Sequence, residues 1–508
     1  MSKPKAAVIG SGFGGLAAGI RLQAAGFDTT IYERRDQPGG RAYVYRDAGF
    51  TFDAGPTVIT DPACLSDLFE LAGRRMEDYV TLAPVSPFYR LLWEDGTRFD
   101  YSNDTASLVE QISKLSPADV AGYEDFLKYT EEVYAEGYVK LGHVPFLDWW
   151  SMMRVAPQLM RLKAYRSVYA MVSEFIQEPH LRQAFSFHSL LVGGSPFRSS
   201  SIYTLIHFLE RQGGVHFPMG GTGALVRGLA RLFEELGGKI RLSLPARRLI
   251  TRAGRVFAVE TDRGEDEVDL AVSNADVVHT YRDLLGQEPS ARHTGRRLAQ
   301  MDHSMSLFVI YFGTRRKFPG LAHHTVIFGP RYRELLKDIF DRGVLADDFS
   351  LYLHAPTVTD PSLAPPGGEA FYVLSPVPHL GKLKINWAVE GPKYADRILS
   401  YLDARYLPGL KESIVTQRIF APNDFKTELN AHWGSAFSLE PTLRQSAYFR
   451  VHNRDENLTN LYFVGAGTHP GAGIPGVVGS ARATAGLILE DFAKRLPANV
   501  RTLAESRR

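Results

Sequence analysis

The chain has 508 residues, room for about three domains at roughly 150 residues each. Its apolar fraction of 44% is enough for a sizeable core, and its net charge of +2 offers no global field to nucleic acid or to an anionic partner. Cys64 is the single cysteine, which excludes an internal disulfide framework and a cysteine-rich metal site and suits a reducing cytoplasm.

The N-terminus begins like a signal peptide, with Lys3 and Lys5 ahead of an apolar run. Gly10, Gly12, Gly14 and Gly15 interrupt that run, so no cleaved signal is expected. Ala6-Ala7-Val8-Ile9 predicts a short buried strand, and Ala17, Ala18, Ile20, Leu22 and Ala25 predict a helix after the glycines. Gly10-x-Gly12-x-x-Gly15 therefore stands between a strand and a helix, the context a dinucleotide turn requires. Gly10 permits the tight turn and Gly12 lets the backbone approach a pyrophosphate. Gly15 lets helix and strand pack closely, while the free N–H groups of the helix face the anion. A second strand, Thr29-Thr30-Ile31-Tyr32, ends at Glu33. That is near the distance of about 20 residues expected for a ribose-binding acid, and a carboxylate there repels a 2′-phosphate.

Gly39-Gly40-Arg41 follows, then Phe52-Asp53-Ala54-Gly55-Pro56. The first element resembles the Gly-Gly-Arg segment of the amine-oxidase-like flavoproteins. The resemblance implies that Gly40 passes close to the cofactor and that Arg41 lies near its phosphates or flavin; Gly55 is counted in the same cradle. No second glycine fingerprint for NAD is present, so FAD is the expected cofactor.

Ser116-Pro117-Ala118-Asp119 predicts a helix start, with Ser116 as cap and Pro117 in the first helical position. Tyr123, Phe126, Leu127, Val133 and Tyr134 then follow helical periodicity. Residues 146–166 hold Trp149, Trp150, Met152 and Met153 beside Arg154, Arg161, Lys163 and Arg166. Aromatics at headgroup level and cations toward anionic lipid would make this an interfacial segment; a core-facing helix with a solvated basic side is the alternative. No run approaches the ~20 apolar residues that a spanning helix needs, so membrane contact would be peripheral.

Leu225, Leu229, Leu232 and Phe233 predict a helix after Gly220-Gly221-Thr222-Gly223. Strands are expected at Lys239–Leu242, Val256–Glu260 and Asp269–Ser273. This block resembles the place where amine-oxidase-like chains re-enter their FAD domain, which implies that Ala246 lies near the adenine. Between 293 and 437, Ser306–Phe312 and Phe371–Leu374 read as strands, and Ile398, Leu399 and Leu402 as a helix. The last dozen residues read as a frayed polar tail.

Near the C-terminus an apolar strand, Asn460–Val464, leads into Gly465-Ala466-Gly467-Thr468-His469-Pro470-Gly471-Ala472-Gly473-Ile474-Pro475-Gly476 and a helix beginning near Pro475. So many glycines let backbone lie flat against a ring, and a helix N-terminus beside a flavin stabilises its anionic reduced form. The segment resembles the bacterial phytoene dehydrogenase signature. His188–Gly194, Ser273–Asp276 and Leu321–Thr325 resemble other stretches of that family, so the resemblance runs from Ala6 to about Leu489. It implies that Gly467, Gly473, Ile474 and Pro475 lie against the flavin. Ala466 stands where amine oxidases usually carry an acid for the ribityl chain, a departure that bacterial desaturases share.

The resulting expectation is an α/β chain in three parts. A discontinuous Rossmann-like FAD-binding domain takes residues 1–75, 214–292 and 438–508. A mixed α+β substrate domain takes 76–115 and 293–437, and a helical region for substrate or membrane contact takes 116–213. The resemblance implies FAD-dependent desaturation of phytoene to neurosporene or lycopene by hydride transfer with proton loss. It also implies a long-chain isoprenoid substrate; the aromatic and basic segment adds peripheral lipid contact at the cell membrane, and quinone or oxygen is the expected electron acceptor. Another carotenoid desaturase, a flavin-dependent isomerase or saturase, a soluble amine oxidase and a non-catalytic carrier of prenylated partners share these motifs. No catalytic residue is readable. Asp148, Arg154 and His469 are the candidates for taking the proton, the histidines show no metal-ligand spacing, and no metal is expected.

Overall fold

The computed structural model describes residues 3–495; the expected polar tail lies outside them. Five parallel strands form one sheet in the spatial order Leu461–Phe463, Leu270–Ser273, Lys5–Ile9, Asp28–Tyr32, Lys239–Arg241. Side chains alternate across it, as a period of two requires. Ala6, Val8, Ile31, Val272 and Tyr462 pack on one face with the helices Phe13–Ala24, Thr222–Glu235 and Ile474–Asp491. Ala7, Ile9, Ala271 and Phe463 pack on the other, against the antiparallel meander Ala246–Arg252, Arg255–Thr261, Gly264–Glu267. With both faces covered, the central strand reads as an unbroken apolar run.

A second sheet of seven strands has the order Ile414–Phe420, Ser306–Thr314, Glu369–Val377, Leu351–His354, His324–Phe328, Tyr89–Trp93, Arg98–Tyr101. It is antiparallel except where His324–Phe328 runs parallel to Tyr89–Trp93. Ser306–Thr314 is buried at every position. Phe308, Ile310 and Phe312 face the helix Trp387–Arg405, with Phe308 stacked on Trp387 at 5.5 Å. Leu307, Val309 and Tyr311, on the opposite face, line an internal cavity.

Six α-helices lie between 105 and 213: Thr105–Leu115, Asp119–Tyr134, Trp149–Arg161, Val168–Phe175, Pro179–Ser186 and Leu205–Gly213. The expected Ser116 cap does not form. Pro117 and Ala118 make a turn closed by Asp119 N–H donating to the Ser116 carbonyl at 3.0 Å, and the helix starts at Asp119. Asp119 is buried, and its carboxylate accepts from Gln177 N at 2.7 Å and Glu178 N at 2.8 Å. A tertiary contact thus displaces the local capping pattern. No helix among the described residues is long and apolar enough to cross a membrane.

Phe233 is fully buried between helix and sheet. Truncation by F233A should cost about 3–5 kcal/mol, read as a lower urea midpoint with unchanged slope.

Candidate active site

The site is built at the carboxyl ends of the parallel strands, where open α/β sheets bind ligands. After Lys5–Ile9 the chain turns at Gly10, whose φ of +93° favours glycine, and enters its helix at Phe13. Asn274 follows Leu270–Ser273 and seats its side chain between the two ends of the chain. A Cβ added at Gly14 or at Gly465 would lie 2.6 Å from Asn274 Oδ1. A Cβ at Gly15 would lie 2.0 Å from the Gly10 carbonyl oxygen, so Gly15 serves packing within the turn.

Glu33 is buried at the end of the neighbouring strand. Its Oε2 accepts from Ser11 N at 2.9 Å and Ser11 Oγ at 2.6 Å, and its Oε1 accepts from Arg35 N at 2.9 Å. Those bonds fix the carboxylate beside the glycine turn, with lone-pair capacity left for one further donor such as a ribose hydroxyl. Arg41 brings a guanidinium whose buried Nε has no partner. Burial pulls its pKa down and the Asp276 carboxylate opposes that pull. Asp276 Oδ1 accepts from Val278 N at 2.9 Å and His279 N at 3.2 Å, while its buried Oδ2 has no partner. An arginine fork held open toward a cavity matches a phosphate oxygen pair.

One cavity of about 580 Å³ joins this cradle to the interior of the molecule. Gly10, Gly12, Gly14, Glu33, Gly40, Arg41, Gly55, Ala246, Gly473, Ile474 and Pro475 line it, so eleven of the thirteen expected cofactor residues are brought to one space. Gly15 and Gly467 are not in its wall. A Cβ at Gly467 would lie 2.5 Å from Val277 Cγ1, so this glycine is needed for packing behind the wall. Asn274 and Asp276 also line the cavity but were not expected there. Their signal was position, directly after a buried apolar strand whose carboxyl end points at the ligand. Ala466 lines the cavity too, and its carbonyl accepts from Arg450 Nη2 at 2.6 Å. A buried arginine therefore holds this backbone, leaving no acid side chain at the position.

Beyond the cradle the wall becomes apolar: Phe187, Leu191, Leu307, Val326, Phe328 and Phe437 are among its residues. Of the three proton-accepting candidates, only His469 lies in the wall. Asp148 is exposed and caps the helix Trp149–Arg161 by accepting from Ser151 N at 2.7 Å, and Arg154 is exposed on that helix. Both are excluded as proton acceptors by position.

The histidines show no metal-ligand spacing in sequence, yet the fold brings three of them together. Strand register places His354 opposite His324, and with His323 one ring nitrogen of each lies within 4.8 Å of the others. Burial pushes all three below the usual imidazole range, His323 to about 3. His324 Nδ1 lies 2.6 Å from Tyr352 OH, and His323 Nδ1 lies 2.6 Å from Thr359 Oγ1. The group includes no acid, and burial keeps the three rings neutral near pH 7. A neutral hydrogen-bonded cluster is the reading that chemistry supports.

Residues 13–489 match the family described as flavin containing amine oxidoreductase. The chain belongs to that family. Within it, the chain is 61% identical over 489 residues to a lycopene-forming phytoene desaturase of Pseudescherichia vulneris, covering 96% of this chain and 99% of the relative. It is 42% identical to a neurosporene-forming phytoene desaturase of Cereibacter sphaeroides, over 95% and 94% of the two chains. Among solved structures, an oxidoreductase from Methanosarcina mazei superposes with a TM-score of 0.63 at 16% identity, over 94% and 98% of the chains. Putrescine oxidase superposes with a TM-score of 0.62 at 15% identity, over 96% and 99%. Both share the fold.

Members of this family use FAD, and the cradle fits it. The glycine turn would take the pyrophosphate, Glu33 would accept from a ribose hydroxyl, and Arg41 Nε, unpartnered among the protein's own atoms, would pair with an anion. Arg41→Ala should weaken FAD binding by about 1.5–3 kcal/mol, roughly ten- to hundredfold in Kd, in a fluorescence titration of apoprotein.

Proposed function

We propose that the protein removes hydrogen pairs from phytoene and carries it to lycopene, with FAD as the oxidant. One observation carries this reading: a single cavity opens from a dinucleotide cradle directly into an apolar wall. Relatives at 58–61% identity are named lycopene-forming, whereas the neurosporene-forming ones stand at 42%, which favours lycopene as the product.

Bound FAD supplies a hydride acceptor. The chain supplies alignment, apolar contact and exclusion of water. A hydrocarbon offers no polar handle, so recognition falls to the shape of the wall. Leu307, Val309 and Tyr311 from one strand, with Leu191 from the 3-10 helix Phe187–Val192 and Phe437 from a loop, build that shape.

The helix Trp149–Arg161 supports entry of the substrate from lipid. Met152 and Leu159 line the cavity, while Trp150 is 72% exposed and Met153 and Met160 are exposed beside it. Trp149 packs edge-on against Tyr448 and Phe449, extending the aromatic patch. Arg161 pairs with Glu132, and Lys163 and Arg166 both pair with Glu174, so apolar insertion is a larger part of the contact than net positive charge. We place the protein on the cytoplasmic face of the cell membrane, as a peripheral protein passing electrons to quinone or oxygen.

Anaerobic addition of phytoene in liposomes should bleach the bound flavin, and lycopene absorbance should appear on readmission of an acceptor. Bleaching by putrescine and not by phytoene would replace this reading with amine oxidation. Separately, W150E combined with M160E should abolish flotation with liposomes while FAD content stays at the wild-type level.

A further inference from the structure

Desaturation breaks two C–H bonds on neighbouring carbons, and one hydrogen leaves as a proton into an apolar cavity. A group in the wall must be ready for it. His469 is 7% exposed and stands in that wall, and the same segment continues through Pro470, Ala472 and Gly473 to the helix N-terminus at Ile474. Its Nε2 lies 3.0 Å from the Leu141 carbonyl. A carbonyl only accepts, so Nε2 carries the hydrogen and the free lone pair is on Nδ1. That Nδ1 is buried and has no partner. Phe146 packs edge-on against the ring at 5.0 Å and fixes its plane.

Most other ionisable groups of the wall are engaged, although Asp276 Oδ2 and Glu210 Oε2 keep no hydrogen-bond partner. Arg35 holds Glu33 through its N–H and pairs with Glu428 at 2.8 Å. His279 lies between Asp283 and Asn430. Glu210 accepts from Tyr89 OH at 2.7 Å and has His188 Nε2 at 3.1 Å. Asp276 caps its own turn and faces Arg41.

We propose that His469 is the catalytic base, taking through Nδ1 the proton from the substrate carbon next to the one that gives up hydride. The proposal rests on the desaturase reading above. With FAD bound, the electron pair of one C–H bond would leave with its hydrogen as hydride, for which the flavin is the acceptor. The pair of the neighbouring C–H bond becomes the new π bond, and its proton bonds to Nδ1. Burial, reinforced by the Arg450 cation, pushes the imidazole down to about 4. It therefore waits neutral near pH 7 and gives the proton up again before the next round. A weak base suffices because loss of hydride makes the adjacent C–H strongly acidic.

The test uses the full-length FAD-loaded protein with phytoene liposomes under anaerobic stopped flow. In H469Q the side-chain amide keeps a donor for the Leu141 carbonyl but supplies no base. FAD content and the flavin spectral change on phytoene binding should match wild type, and flavin reduction should slow by roughly 10²–10⁴-fold. H469A should be equally slow, and added imidazole should restore part of its rate, which a merely structural histidine would not allow. A reduction rate in H469Q within about threefold of wild type overturns the assignment. So does failure of imidazole rescue, or loss of FAD from both variants, which would make His469 a cofactor-holding residue. A comparable loss in E210Q with H469Q unaffected would move the role to Glu210. If wild-type flavin itself is not bleached by phytoene, the desaturase reading fails, which is a separate outcome.

Discussion

Asn274 is where the two ends of the chain are tied together. Its side chain fills the space between Gly14 and Gly465, close enough that neither can carry a Cβ, and its Nδ2 donates to the Gly10 carbonyl at 3.4 Å. Four strand ends converge around it, and their parallel direction aligns the exposed backbone groups toward one crevice. The cradle is therefore made by closing the sheet, because no single segment contains it. Polar groups that the closure strands inside, Arg41 Nε and Asp276 Oδ2, stay unpaired among the protein's own atoms. Such orphans cost stability unless a ligand pairs them.

The rest of the molecule answers a different physical problem. A polyene must be held by contact area alone, and a strand buried on both faces provides that. In Ser306–Thr314 alternate residues serve the hydrophobic core and the cavity wall, so the wall is as rigid as the core behind it. The helix Trp149–Arg161 does the same at the surface, with one face in the wall and the other toward solvent. A lipid surface covering that outer face would relieve the exposure of Trp150 and Met160 and bring the hydrocarbon to the cavity together.

Local elements were legible where local physics decides. The glycine turn, the Glu33 acid and the strand–glycine–helix run at the C-terminus each carry their own geometry in their spacing. Ser116 misled because a cap is worth only about 1 kcal/mol, and Asp119 gains more by holding two backbone amides of another segment. Gly15 and Gly467 belong to the right motifs, but the atoms they make room for are protein atoms. Whether a glycine admits a ligand or a neighbouring chain is invisible in one dimension.

Sequence alone determined the cofactor class, because the glycine turn between strand and helix is written in short-range spacing and the motifs beyond it resemble a flavoprotein family. Only tertiary structure decided which ionisable groups share the cavity. Asp148 and Arg154 sit beside the aromatic run in sequence and end up in solvent, while His469 ends up buried with a free lone pair. His323, His324 and His354 meet only through strand register. Burial and partner choice are set by contacts between distant segments, and those contacts also set the proton affinity on which the chemistry turns.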